Sequence, residues 1–419
     1  MAEQSPSPGE TLAQRYFTDA SVFEEETRKI FRERWLYVER SSELKETGDY
    51  LAIDLEGEGL IVVCDPDQSI RVHYNVCRHR GTRLLNEPSG NCGKVITCPY
   101  HAWSYGLDGS LVGAPHMEET TGFNKGDFRL IAPAQYEWEG NVFVHLGESP
   151  EPFEQAYEPV LTKFAPWHVG ELVPAHREVY EVAANWKLIV QNYSECYHCP
   201  IIHPALEKLS HYRDTGNDLE EGPFLGGPMR IGKEGGGLST DGTRAAPPLP
   251  GVQGEDLQRA YYYLLFPTLL VSLQPDFVLM HHLQRVAPDQ TRIVCQWLYH
   301  PEAIATEGFD PKPTVDLWDE INRQDWRVSE LTQAPTGRGR TPHWKACRPR
   351  LTGNISRRWG DHSLSCSLSH IFMVAETFFA ASCCTKWSAP GMVTSVRSFS
   401  SQSHVSLSAP GNSALSARP

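Results

Sequence analysis

Nothing in the 419 residues amounts to a membrane span. About twenty consecutive apolar residues are needed, and polar residues break every apolar run well before that. The first ten residues, Met1 to Glu10, lack the apolar core of a signal peptide, so a cytoplasmic location is expected. An excess of positive charge is missing as well. Only 38 Lys and Arg stand against 52 Asp and Glu, for a net charge of −14, which argues against nucleic acid as a partner. Cysteine is thinly spread: eleven in a chain this long read as free thiols in a reducing compartment rather than a disulfide framework. The chain is long enough for two or three domains, each with its own core.

The cysteines that do carry a pattern are Cys77 and Cys98. The first opens Cys77-Arg78-His79; eighteen residues later comes Cys98-Pro99-Tyr100-His101. Two thiolates and two imidazoles can hold a tetrahedral zinc ion. In zinc fingers, however, each half carries two residues of one kind, whereas each half here mixes one of each. That arrangement suits a [2Fe–2S] cluster in which the two Cys hold one iron and the two His the other. Cys92 lies between the halves at a spacing that fits neither, and is read as a bystander.

The order of elements follows from periodicity. Residues 11–40 read as a helix, with Phe17, Phe23, Ile30, Phe31 and Trp35 on a loose stripe. From Gly48 short apolar or alternating runs take over: Tyr50–Leu55, Leu60–Cys64, Arg71–Val76, Val95–Thr97 and Asn141–Leu146. An Asp108-Gly109 turn joins Trp103–Leu107 to Ser110–Val112 as a hairpin. Pro150 and Pro152 mark a linker. Beyond it, Glu178–Ala183 reads as a strand, and Asn185 as the N-cap of a helix whose apolar face is Trp186, Ile189, Val190, Tyr193 and Tyr197. The Gly- and Pro-rich segment 222–251 reads as a long loop forming a lid or channel wall. Strands at Tyr261–Leu265, Leu269–Leu273, Phe277–Val286 and Thr291–Tyr299 precede a last helix from about Thr314 to Leu331. This grouping predicts an α+β domain on an antiparallel sheet.

A second constellation is Glu195, His198 and His203. Glu195 and His198 are three apart and are expected to share a helix face. His198 and His203 are five apart, and Pro200 lets the chain turn between them by disfavouring helix at Cys199. Two imidazoles in such a turn supply two corners of the 2-His-1-carboxylate cage of non-haem iron. The third is sought among the acids of the last helix. Asp325 alone falls on the inward stripe of Trp318, Ile321 and Val328, and a buried acid needs a partner. A metal would supply one; an ion pair with Arg323 or Arg327 is the plainer alternative.

Together these segments carry a resemblance. From about Leu12 to Thr332 the chain resembles the large subunit of a Rieske non-haem iron oxygenase. The match rests on Arg15-Tyr16-Phe17, the Cys77–His101 stretch with its flanks His79-Arg80-Gly81 and Pro99-Tyr100-His101-Ala102-Trp103, Asn185-Trp186-Lys187, Glu195 to Pro204, and Asn322-Arg323-Gln324-Asp325-Trp326. The resemblance implies an α+β fold: an N-terminal all-β Rieske [2Fe–2S] domain (45–148) behind a helical lead-in (1–44), then a helix-grip-like antiparallel-sheet catalytic domain (149–334). It implies a cluster on Cys77, His79, Cys98 and His101, and mononuclear Fe(II) on His198, His203 and Asp325. Glu195 matches the acid that bridges, across a subunit boundary, from a Rieske His to an iron-ligand His. The implied partners are an NAD(P)H-dependent flavin/ferredoxin-type reductase, O₂, a small organic substrate and two further copies in a homotrimer. Within the family, Asn192 to Pro200, Gly226-Gly227-Pro228-Met229 and Leu265-Phe266-Pro267 look most like the betaine-demethylating group. That group hydroxylates an N-methyl carbon of a quaternary ammonium substrate, a cation that aromatic faces hold. Tyr193, Tyr197, Tyr261 to Tyr263 and Phe277 are candidates for such faces. Ring dihydroxylation of an aromatic substrate, or an electron-transfer role with an inactive second site, are the alternatives.

The resemblance ends after Gln333. Residues 335–419 hold ten Lys and Arg against Asp361 and Glu376, with sixteen Ser and four Cys. This basic tail is read as disordered or as the product of a shifted reading frame.

Overall fold

Asp19 starts the first sustained helix: its carboxylate accepts from the Ser21 N–H at 2.8 Å, a normal N-cap. In the computed structural model, which describes residues 12–334 except 13, 118 and 220, α1 (Arg15–Thr18) and α2 (Ala20–Lys29) are followed by a 3₁₀ turn and then by β1 (Leu36–Arg40). The helix expected over 11–40 therefore stops at Lys29. Leu36 and Val38 pack into one core cluster, Trp35 and Tyr37 into another. That alternation is the period of a strand, not of a helix.

Four strands form the first sheet, in the order β4-β3-β2-β5: β2 (Asp49–Leu55), β3 (Glu58–Cys64), β4 (Ile70–Tyr74) and β5 (Ser89–Asn91). A second, three-stranded sheet holds β6 (Val95–Thr97), β7 (Ser104–Gly106) and β8 (Leu111–Gly113). The β7–β8 turn is the Asp108-Gly109 hairpin, with the Asp108 carboxylate accepting from the Ser110 N–H at 3.0 Å. Ile61, Val63, Ile96, Trp103 and Tyr105 share the core of these two sheets. β9 (Ala134–Trp138) and β10 (Asn141–His145) return as an antiparallel pair, and β10 pairs with β1.

After α3 (Phe153–Phe164) the chain builds one large antiparallel sheet. Its first strand is β11 (Val173–Val182); then come α4 (Trp186–Tyr193), α5 (Cys199–Ile202), α6 (Pro204–Leu209), β12 (Phe224–Arg230), β13 (Arg259–Leu265), β14 (Leu269–Leu273), β15 (Val278–Ala287) and β16 (Gln290–Tyr299). The strand order is β11-β16-β15-β14-β13-β12. After α7 (Pro301–Ile304), α8 (Lys312–Gln333) lies on one face and buries Leu317, Trp318, Ile321 and Trp326 with Ala260, Leu264, Leu279, Ile293, Cys295 and Trp297. The other face, with Tyr261, Tyr263, Val271 and Met280, packs on α3 residues Phe153, Tyr157 and Val160. The α+β architecture expected from the sequence is the one the chain adopts: all-β sheets first, then helices on a long antiparallel sheet.

Two expectations fail here. The segment 222–251 is not all loop, since Phe224–Arg230 is the edge strand of the large sheet, paired with β13 from Phe224↔Leu265 to Arg230↔Arg259. Its glycines answer to close packing. A Cβ on Gly226 would stand 2.0 Å from the Tyr262 carbonyl oxygen, and one on Gly227 2.1 Å from that of Gly216. The helix capped by Asn185, whose side chain accepts from the Lys187 N–H at 3.0 Å, ends at Tyr193, so Tyr197 leaves its apolar face and is 66% exposed. The expectation for the tail from 335 lies outside the described residues.

Candidate metal centres

Cys77 and Cys98 sit at the mouths of two tight loops, one after β4 and one between β6 and β7. In the first, the Cys77 N–H donates to Thr82 O and the Gly81 N–H returns to Cys77 O (2.8 and 2.9 Å). In the second, the Cys98 N–H donates to Trp103 O and the Ala102 N–H to Cys98 O (2.8 and 3.1 Å). Both thiols are buried. The His79 and His101 rings stand 4.6 Å apart between centroids, and His79 stacks on Trp103 at 4.8 Å. Burial, then the nearby His101 and Arg80, hold His79 below its ordinary pKa, in the neutral form a ligand needs. Its Nδ1 is buried with no hydrogen-bond partner in the protein, and such atoms are rare unless a ligand or ion answers them. The loops thus place His79 against His101 and bury Cys77 and Cys98 in one core cluster. Cys92 is elsewhere: its thiol donates to the Gly48 carbonyl at 3.3 Å.

Sequence reasoning missed Tyr105, whose hydroxyl lies 3.3 Å from Cys77 Sγ. That oxygen accepts from the Arg78 N–H at 3.0 Å, which leaves its own proton for the sulfur. Alternation along β7 shows Tyr105 to be inward-facing, but not what its hydroxyl meets.

The second set gathers around α8. α4 stops at Tyr193, so Glu195 and His198 lie in a turn rather than on a common helix face. The Glu195 carboxylate nevertheless takes the His198 Nδ1 at 3.1 Å and the Tyr197 N–H at 2.6 Å. Cys199 is helical after all: α5 is a single turn with Pro200 in its first positions, where proline costs no hydrogen bond. His198 and His203 flank this turn as its two caps. Both Nε2 atoms point to one oxygen, Asp325 Oδ1, at 3.3 Å from His198 and 2.8 Å from His203. Arg323 and Arg327 do not compensate Asp325; they pair with Asp319 (2.8 Å) and Glu330 (3.8 Å).

These distances suit a metal. Two donors each roughly 2.1 Å from a divalent first-row ion and at right angles lie ~3 Å apart. Two imidazoles and one carboxylate, with the remaining positions open, form the donor set of non-haem iron. The electrostatics agree. Burial alone would lower the pKa of His198, yet hydrogen bonds and charge from Asp325 and Glu195 carry it up to about 10. Burial would raise Asp325, and the two imidazoles hold it below the usual carboxylate value. A site that favours protons this strongly favours a cation in their place. Helix α8 is fixed beneath it by Asn322, which accepts from His281 Nε2 at 3.0 Å and donates to the Tyr180 hydroxyl at 3.3 Å.

Of the aromatic candidates, Tyr197 is exposed, and Tyr261 and Tyr263 belong to the far face of the sheet. Tyr193 and Tyr262 stand near each other on the α8 side, at 6.2 Å between centroids, with Trp318 6.0 Å from Tyr262.

Comparison with known proteins finds two family matches along the chain. Residues 34–124 match the Rieske [2Fe-2S] domain, and residues 169–342 match the catalytic domain of ring-hydroxylating alpha subunits. One after the other on a single chain, the two are the domains of the large subunits of the Rieske non-haem iron oxygenases, in the ring-hydroxylating family, and that is the class of protein the chain matches. Within that family it is related to the carnitine and glycine betaine monooxygenases. It is 29% identical over 351 residues to the glycine betaine monooxygenase oxygenase subunit of Chromohalobacter salexigens, covering 77% of this chain and 78% of that one. The carnitine monooxygenase oxygenase subunit of Escherichia coli K12 is 37% identical over 203 residues, 48% of this chain and 54% of that relative. In fold, a quaternary ammonium Rieske monooxygenase superposes with a TM-score of 0.69 at 24% identity, over 90% of this chain and 96% of that one. Naphthalene 1,2-dioxygenase from Rhodococcus sp. does so with 0.68 at 17% identity, over 90% and 95%.

Proposed function

We propose that the chain is the oxygenase component of a system that hydroxylates an N-methyl group of a quaternary ammonium, betaine-like substrate. The observation that carries the reading is the convergence of His198 and His203 on Asp325, with Glu195 on the outer nitrogen of His198. Mononuclear iron on this triad would supply O₂ activation, and a [2Fe–2S] cluster on Cys77, His79, Cys98 and His101 would supply electrons one at a time. The chemistry balances as substrate N–CH₃ plus O₂, two electrons and two protons giving N–CH₂OH and water. The N–CH₂OH group then collapses to tertiary amine, formaldehyde and a proton. Glu195 has the position of a connector: one carboxylate oxygen holds His198, and the side chain is partly open to solvent, where a Rieske His of a neighbouring copy could reach it in a homotrimer. The protein's part is to keep His198 oriented and to exclude water around the buried His203. Tyr193, Tyr262 and Trp318 offer aromatic faces for the cation, and the named activities of the related carnitine and glycine betaine enzymes support that choice.

The test is O₂ uptake with a surrogate reductase and NADH over a panel of quaternary amines and aromatic acids. Formaldehyde formed in step with O₂ consumption from glycine betaine, carnitine or a proline betaine is expected. A cis-diol from a benzoate-type substrate without formaldehyde would overturn the reading.

A further inference from the structure

His203 is 2% exposed, so no bulk water can serve its two nitrogens. Its Nε2 faces Asp325 at 2.8 Å, and its Nδ1 lies 2.7 Å from Oε1 of Gln324. A neutral imidazole carries one proton. For Nε2 to offer its lone pair to a metal, that proton must be on Nδ1, and the group facing Nδ1 must be an acceptor. An amide does not guarantee this, because it has nearly the same shape either way round. With its NH₂ turned toward Nδ1 it would favour the other tautomer, whose proton blocks the metal position.

The deciding contact is one turn back on α8. The Gln324 Nε2 donates to Glu320 Oε1 at 3.0 Å. A carboxylate only accepts, so it admits the amide in a single orientation, with the carbonyl oxygen toward His203. Resting on the triad being a metal site, we propose that Glu320 and Gln324 act as a two-residue positioning relay that holds His203 in its metal-binding tautomer.

The contrast with His198 explains why a relay is used. There Glu195 touches Nδ1 directly, and a carboxylate has no wrong way round. A second carboxylate on His203 would place a third negative charge beside Glu195 and Asp325, more than a divalent cation neutralises. The amide presents an acceptor without that charge, and Glu320, exposed on the outer side of α8, carries the charge in solvent.

The experiment uses cluster-loaded protein stripped of mononuclear iron, with Fe(II) itself titrated against a chelator. Gln324→Met should weaken Fe(II) binding by about 10- to 100-fold. Glu320→Ala, which removes only the orienting bond, should weaken it about fivefold. In a Gln324→Glu background, where the acceptor facing Nδ1 has no wrong way round, adding Glu320→Ala should cause no further loss of affinity. The cluster absorption and melting temperature should stay constant throughout, separating orientation from folding. Parent-like affinity in Gln324→Met, or in Glu320→Ala, would overturn the relay; so would a further loss on adding Glu320→Ala in the Gln324→Glu background. Weak binding by the parent itself would overturn the metal-site reading beneath it.

Discussion

Lys187 and Glu26 form an ion pair almost closed to solvent: Nζ to Oε1 is 2.7 Å, and the two side chains are 2% and 6% exposed. Glu26 also accepts from the Trp186 indole at 3.0 Å and from Arg285 at 3.3 Å. Arg285 in turn pairs with Glu56 in the β2–β3 turn. Four charges thus join the N-terminal helix, the first sheet and the large sheet. Burial pulls the Lys187 ammonium down to about 8, with Glu26 working against it.

Removing one member should leave an uncompensated charge. Lys187→Met is expected to lower stability by about 3 kcal/mol, measured by urea unfolding of the iron-loaded protein. Lys187→Met with Glu26→Leu should recover a large part of that, because the desolvation cost leaves with both charges. A single variant as stable as the parent would mean the pair contributes nothing.

The cluster assignment separates two cysteines. Cys77→Ala should abolish the visible absorption of the [2Fe–2S] centre, and Cys92→Ala, whose thiol donates to the Gly48 carbonyl, should leave it nearly intact. Bleaching by Cys92→Ala with survival in His79→Ala would reverse the assignment.

Tyr105→Phe should keep the cluster and lower its midpoint potential by roughly 50 mV, close to a tenfold shift for one electron. A hydrogen bond to a ligand sulfur favours the more negative, reduced form. A redox titration followed by EPR reads this directly, and an unchanged potential would mean the hydroxyl does not serve the sulfur.

Glu195→Gln should retain mononuclear iron and a normal cluster yet lose most turnover, since its carboxylate holds His198 from outside the triad. Iron loss as deep as in His198→Ala would make Glu195 a ligand instead.

Asp276 gives a pH prediction. Burial pushes its carboxyl up to about 7 against the pull of Arg244, and its Oδ1 has no hydrogen-bond partner in the protein. Between about pH 4 and 7 the folded protein then holds a proton that the unfolded chain releases. This contribution to stability is greatest at low pH and falls as pH rises, by about 4 kcal/mol at most. Asp276→Asn keeps an acceptor for the Ala245 N–H and removes the charge. It should be more stable than the parent at pH 8, with the difference shrinking toward pH 4; the opposite slope would disprove it.

Local signals were the legible ones. Asn185 before an apolar helix face, Asp108-Gly109 between two short runs, and Asp325 on the stripe of Trp318 and Ile321 each announce their structure within a few residues. The failures come from contacts distant in sequence. Gly226-Gly227-Pro228 has poor strand propensity and becomes a strand because Tyr261 to Tyr263 offer an edge and the glycines allow close approach. Trp35 ends a loose stripe that reads as helix, but the cores on either side impose strand alternation on Trp35 to Val38. Gln324 sits beside Asp325 in the sequence, but its importance depends on the nitrogen of His203 it meets.

The placement of His198 and His203 at the two ends of one helical turn has a kinetic consequence. Both imidazoles ride on the same short piece of chain, so they move together, and Asp325 alone belongs to another element. A metal held there would be released by one event, the undocking of α8, rather than by ligands letting go in sequence. Leu317, Trp318, Ile321, Trp326 and the Asn322 bonds oppose that event. The rate of iron loss should therefore track the hydrogen exchange of the α8 amides, and substitutions that loosen this helix far from the metal should speed both to the same degree.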